Sequence, residues 1–203
     1  MVKDAVHQCP LPLVNLDGKL REFAESFFPN SVGIEIECRP ENDEYDYSEF
    51  YKIDGIIHIQ GDGSEQRFRF ANGVKGMVAL YKASLLFKDH FLLNPQSGIH
   101  YHIDFTEHYE KLKGTYIIPA RNEGNIPELN WMLKGLRNWN YKGYFNSWVV
   151  GINKNVIRLH PNYHTIEYRI GEMTFDYSLL IKRIITCQRI TEKLKRILPM
   201  SLS

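Results

Sequence analysis

The amino-acid sequence predicts an α+β fold, with helices packed on one face of a largely antiparallel sheet. Three observations lead there. Short segments in which apolar and polar residues alternate recur along the chain, at 32–38, 67–70, 98–105 and 164–170. Two stretches, 76–93 and the run that follows Asp176, have the length and apolar content of core-facing helices. The two kinds of segment mix without the regular strand–helix–strand rhythm of a doubly wound sheet. An antiparallel sheet covered on one side leaves its other face for chemistry.

In chain order, residues 17–28 predict a short helix, stopped by Pro29 and Asn30. VGIEIEC (32–38) alternates as a strand, and the acidic PENDEYDYSE (40–49) reads as a solvated loop. GIIHIQGDGS contains a strand from Ile56 to Gln60 that runs into a Gly-rich turn, and Arg67 to Phe70 alternates again. GMVALYKASLLFKDHFLL (76–93) predicts a largely buried helix, and GIHYHIDF (98–105) the next strand. TYIIPA, from Thr115, is a further strand, and residues 126–139 a helix with Pro127 in its first turn. Strands at 156–160 and 164–170 precede a last helix that starts near Asp176, a suitable N-cap. Its apolar stripe is Leu180, Ile184, Cys187, Ile190, Leu194 and Ile197. Lys182, Arg183, Lys193 and Arg196 stand on what reads as the solvated side.

Composition narrows the function classes. The 203 residues suit one domain, and 43% hydrophobic with 13% aromatic content is ample for a core. Lys and Arg (25) balance Asp and Glu (24), so the net charge of +1 gives no reason to expect nucleic acid. No apolar run approaches the roughly 18 residues of a membrane span, and Asp4, Pro10 and Pro12 break the N-terminal stretch as a signal peptide. Cys9, Cys38 and Cys187 are odd in number and far apart, which suggests neither a disulfide framework nor a zinc site. A cytoplasmic location is the expectation.

The polar positions of the strands carry the chemistry. Side chains alternate between faces with period two. Glu35 and Glu37 therefore oppose Val32, Ile34, Ile36 and Cys38, and His100, His102 and Asp104 oppose Ile99, Tyr101, Ile103 and Phe105. Glu167 and Arg169 oppose Ile166, Tyr168 and Ile170, and His58 and Gln60 oppose Ile57 and Ile59, with Asp62 in the same parity. Solvated strand faces usually carry Thr, Ser, Lys and Gln. Carboxylates brought together on neighbouring strands resist joint ionisation, and a divalent cation resolves that conflict. Mg²⁺ and Mn²⁺ take oxygen ligands, Mn²⁺ also imidazole, and Mg²⁺ commonly bridges to phosphates. Arg169 then offers a planar fork to a phosphate or carboxylate. Each piece alone has a plain reading: a solvated edge for ExE, a zinc ligand pair for HxH, a surface ion pair for EYR, a turn for DGS. The joint order and parity favour one site. No P-loop, GxGxxG, GxSxG or HExxH pattern is present.

GIEIE, DGS, GIHYHID and HTIEYRIGEMTFDYS, in that order, resemble the amidoligase family of glutamine synthetase-like and glutamate–cysteine ligase-like carboxylate–amine ligases. The resemblance covers about residues 31–190. It implies an N-terminal extension (1–30), a catalytic domain (31–203) and a curved, largely antiparallel sheet like the glutamine synthetase catalytic domain, with metal ions between sheet and ATP. By resemblance Glu35, Glu37, His100 and Glu167 are ligands of Mg²⁺ or Mn²⁺. His102, Arg158 and Arg169 lie near phosphate or substrate, and Asp62, Asp104 and Glu65 are candidate proton acceptors. The implied activity is ATP-dependent amide formation from small-molecule or peptide carboxylates and amines through an acyl phosphate. The alternatives are a degenerate ligase fold kept for binding or assembly, or a guanidino kinase on the same scaffold. Related enzymes often assemble, so a homo-oligomer stays open. Members often carry a glutamate after DGS, where this chain reads SEQRFRFANG, with Arg67 and Arg69.

Overall fold

The computed structural model describes residues 18–37, 46–61, 65–92, 98–112, 157–160 and 162–197. Strands β1 (Val32–Ile36), β2 (Ile56–Gly61), β3 (Gln66–Phe70), β4 (Gly98–Asp104), β5 (Ile157–His160) and β6 (Thr165–Glu172) form one sheet in the order β2-β3-β1-β4-β6-β5. Its pairings are antiparallel throughout. The helices are α1 (Gly18–Glu25), α2 (Ser48–Tyr51), α3 (Gly73–His90), α4 (Tyr109–Leu112) and α5 (Tyr177–Ile197), with a 3₁₀ turn at Thr106–His108. The expected α+β class with an antiparallel sheet is what the chain forms. No helix among the described residues is long and apolar enough to cross a membrane.

The alternation decides which face meets the helices. Val32, Ile34 and Ile36 of β1, Phe68 and Phe70 of β3, Ile99, Tyr101 and Ile103 of β4, and Ile166 and Tyr168 of β6 are all buried in one core. Leu80, Ala83 and Phe87 of α3 and Leu180, Ile184, Cys187 and Ile190 of α5 complete it. Each such side chain contributes about 1.5–3 kcal/mol on removal from water. Phe50, Phe68, Phe87, Phe91 and Phe175 pack as an aromatic knot at one end. Asp176 caps α5, its Oδ1 accepting the Leu179 N–H at 2.9 Å.

Segment 18–30 packs on this same core. Phe28 is fully buried, and its carbonyl accepts the Gly73 N–H at 2.7 Å. Asn30 Nδ2 donates to Gln188 Oε1 (2.7 Å) and Glu192 Oε1 (2.9 Å), while Gln188 Nε2 donates to the Asn30 carbonyl (2.7 Å). Gly55, between α2 and β2, has φ +103°, and a Cβ there would lie 2.7 Å from the Lys75 carbonyl oxygen.

Several local expectations need correction. Ser48 and Glu49, the end of the stretch read as loop, open a short helix (Ser48–Tyr51) that delivers Phe50 to the core. The helix expected from residue 76 begins at Gly73, because the Phe28 carbonyl takes up the first N–H. A register shift between Ile56 and His58 breaks the parity of β2, so Ile57 is 54% exposed while Ile56 packs on the core. Arg183 is buried rather than solvated, because its position flanks the stripe and its side chain runs beside Tyr101 and Cys187. TYIIPA, the helix at 126–139, Cys9, Cys38 and Asp62 lie outside the described residues.

Candidate functional site

Central strand β1 brings the polar positions together. Glu35 stands opposite Arg67 on β3 and His100 on β4; Gly33 stands opposite Arg69 and His102. His102 in turn faces Glu167 on β6, and Glu167 faces Arg158 on β5. The described side chains among them alternate with the core set, so they share the face away from α3 and α5.

His100 is the hub. It is almost wholly buried, with Nδ1 2.9 Å from Glu35 Oε2 and 3.6 Å from Glu167 Oε1, and Nε2 3.3 Å from Glu37 Oε1. One ligand atom from each of Glu35, His100 and Glu167 falls within 4.8 Å of the others. Glu37, the fourth expected ligand, sits on the far side of the imidazole, where its Oε2 accepts the Gly98 N–H at 3.2 Å. His102 is held by Thr165, whose Oγ1 is 3.1 Å from Nδ1, and its Nε2 lies 3.6 Å from Glu35 Oε2. That Nε2 is buried and has no hydrogen-bond partner among the described residues.

Arginines answer part of the carboxylate charge. Arg67 Nε donates to Glu35 Oε1 at 2.6 Å, and the same guanidinium bonds Glu65. Arg169 Nη1 donates to Glu167 Oε1 at 2.9 Å, with Nη2 4.0 Å from Glu37. Arg67 and Arg169 thus share the carboxylate charge that a divalent cation is expected to offset. Glu65, one of the candidate proton acceptors, is engaged by Arg67. Burial pushes the Glu35 carboxyl up, but the neighbouring His100, His102 and Arg67 side chains outweigh it and hold the group well below the usual carboxylate range. Burial also acts against the Arg67 charge, yet Glu35 and Glu65 raise its pKa above the ordinary guanidinium value.

A cleft of about 390 Å³ opens beside this cluster, lined by Gly33, Glu35, His58, Gln60, Arg67, Arg69, His102, Asp104 and Tyr163 among others. A Cβ at Gly33 would lie 3.0 Å from the Cβ of His102, so the bare glycine leaves the floor of the cleft open. Asp104 accepts bonds from the Thr106 N–H (3.0 Å) and hydroxyl (2.8 Å) and lies 3.6 Å from Arg69. Burial acts to raise its carboxyl, but these partners hold it below its ordinary value. Comparison with known proteins finds no family model, no curated protein and no solved structure that matches the chain.

Sequence reasoning and structure thus agree on which residues meet: Glu35, Glu37, His100, His102, Glu167 and Arg169 form one cluster. The Arg158 backbone lies in β5 opposite Glu167, and its side chain falls outside the described residues. Reading the sequence missed Thr165, Gly33 and the pairing role of Arg67. Parity offered a signal for two of them, since Thr165 shares a face with Glu167 and Gly33 with Glu35.

The donor set fits a divalent cation that accepts mixed oxygen and nitrogen ligands. Among the described side chains, four carboxylates (Glu35, Glu37, Glu65, Glu167) meet two guanidiniums (Arg67, Arg169). The buried, unbonded Nε2 of His102 also points to a missing neighbour.

Proposed function

We propose that the chain is an ATP-dependent carboxylate–amine ligase on a glutamine synthetase-like sheet, with Mg²⁺ or Mn²⁺ in the cluster around His100. The observation that carries the reading is the convergence of Glu35, His100 and Glu167 within 4.8 Å beside a cleft lined by Arg67 and Arg69. Carboxylates that gather a metal, next to guanidiniums without a glycine-rich loop, suit a polyphosphate gripped through metal and side chains.

In the reaction a substrate carboxylate oxygen attacks the γ-phosphorus of ATP, and the bond to the bridging oxygen breaks, releasing ADP and leaving an acyl phosphate. An amine then attacks the acyl carbon, phosphate departs, and the amine's proton passes to a base. A cation held by Glu35, His100 and Glu167 would neutralise phosphate oxygens during transfer. Arg69 binds anionic oxygens at the other end of the cleft, and Arg169 fixes the orientation of Glu167 while sharing its charge. Asp104, held ionised by Thr106 and Arg69, is a carboxylate that lines the cleft and can take that proton.

The test is ADP release with Mg²⁺ or Mn²⁺ across pooled amino acids and peptides. Glu35→Ala and Glu167→Ala are expected to cut it by about 10²–10³-fold, the scale of losing charge stabilisation in a transition state, with the folded structure retained by circular dichroism. Undiminished turnover in both variants contradicts the assignment.

One observation favours a second reading, a ligase fold kept for binding. Arg67 and Arg169 already occupy Glu35 and Glu167, as in a site that has settled without metal. A protein that melts at a higher temperature with Mg²⁺ and ATP but turns over nothing fits that reading instead.

A further inference from the structure

Tyr163 lies in the turn between β5 and β6, and its packing is unusual for an exposed residue. The ring is 48% exposed, yet His160 stacks against one face, with centroids 4.5 Å apart and planes 13° from parallel. His102 meets it edge-on at 5.9 Å. Tyr163 lines the cleft, and His160, on which it stacks, is not among the lining residues. Arg67, on β3, lines the same cleft.

The turn itself is built to hold that ring. His164 has φ +49°, a left-handed conformation that costs a non-glycine residue energy and persists only where neighbours enforce it. Here they do: Tyr109 stacks on His164 at 4.1 Å, and the Phe105 N–H donates to the His164 carbonyl at 3.1 Å. Gly33, bare of a side chain, lines the same cleft, and a Cβ there would lie 3.0 Å from the Cβ of His102.

We propose that Tyr163, backed by His160, is a stacking platform for a planar ring of the ligand that occupies this cleft, and that the ring is the purine of the nucleotide. The choice of purine rests on the ligase reading above. The His102 imidazole lies 5.9 Å from the Tyr163 ring and its Nε2 3.6 Å from Glu35, so a ring on Tyr163 and a phosphate chain on the metal cluster belong to one molecule of nucleotide size. The other source of the same chemistry is an aromatic amino-acid substrate. Stacking on an aromatic side chain contributes about 1–3 kcal/mol per base.

Calorimetric titration of the full chain with Mg²⁺–ATP, Mg²⁺–tripolyphosphate and L-phenylalanine tests the platform. Tyr163→Leu keeps bulk and removes the π face; Tyr163→Trp keeps a π face; both sit in an exposed turn. If Leu weakens ATP about tenfold, leaves tripolyphosphate within twofold, and Trp retains ATP affinity, the platform holds a purine. Selective loss of phenylalanine binding supports the platform and moves its ring to the substrate. Equal binding of all three probes by wild type and Tyr163→Leu, or a wild type that holds neither ring-bearing probe, overturns it. Failure of the ligase reading looks different: wild type then binds neither ATP nor tripolyphosphate, and the phenylalanine arm alone decides the platform.

Discussion

At the scale of single residues, the account turns on what holds Glu35. Its two oxygens are divided, Oε1 to Arg67 and Oε2 to His100. A divalent cation at the triad competes with Arg67 for the same carboxylate. Arg67→Met removes the competitor while keeping an apolar stem. Without metal, the variant is expected to lose about 1–3 kcal/mol, because a largely buried carboxylate loses its charge-assisted bond. In exchange its affinity for Mn²⁺ rises about tenfold, the equivalent of ~1.4 kcal/mol of relieved competition. Paired thermal melts and Mn²⁺ titrations measure both, and an affinity that stays unchanged or falls contradicts a cation at Glu35, His100 and Glu167.

At the scale of elements, the faces of β1, β4 and β6 were legible because period-two alternation is a local property written into GIEIE, GIHYHID and HTIEYR. The stripe of α5 was legible for the same reason, and Leu180, Ile184, Cys187, Ile190 and Leu194 are all buried. What alternation cannot encode is register. Which residue faces Glu35 depends on pairing between strands far apart in sequence, so the Arg67 and His100 partnerships emerge only in the folded sheet. The register shift between Ile99 and Tyr101 is another such feature. It adds one residue to β6 opposite His100 and turns Arg169 toward Glu167 and Glu37. Gly33 is where register matters most. Gly33→Ala places a methyl 3.0 Å from the Cβ of His102, and overpacking of that kind costs about 1–3 kcal/mol. The expected result is a lowered melting temperature with weaker Mg²⁺–ATP binding; unchanged affinity removes the open floor from the account.

For the whole molecule, the sheet separates two jobs. One face is an apolar layer against α3 and α5, and the other gathers buried ionisable groups that add nothing to a hydrophobic core. Burying charge is costly unless it is paired, and here Arg67 and Arg169 pair with Glu35 and Glu167. Helices that brace the sheet from behind hold these groups in position without covering them, as a preorganised site requires. The chemistry that distinguishes a ligase from a kinase or a binding protein on this scaffold is carboxylate activation. Hydroxylamine trapping tests it most directly: incubated with Mg²⁺ or Mn²⁺, ATP and pooled carboxylates, the protein is expected to yield a hydroxamate in step with ADP release. ADP released with no hydroxamate, or phosphate moved to a guanidino group instead, would contradict the central claim.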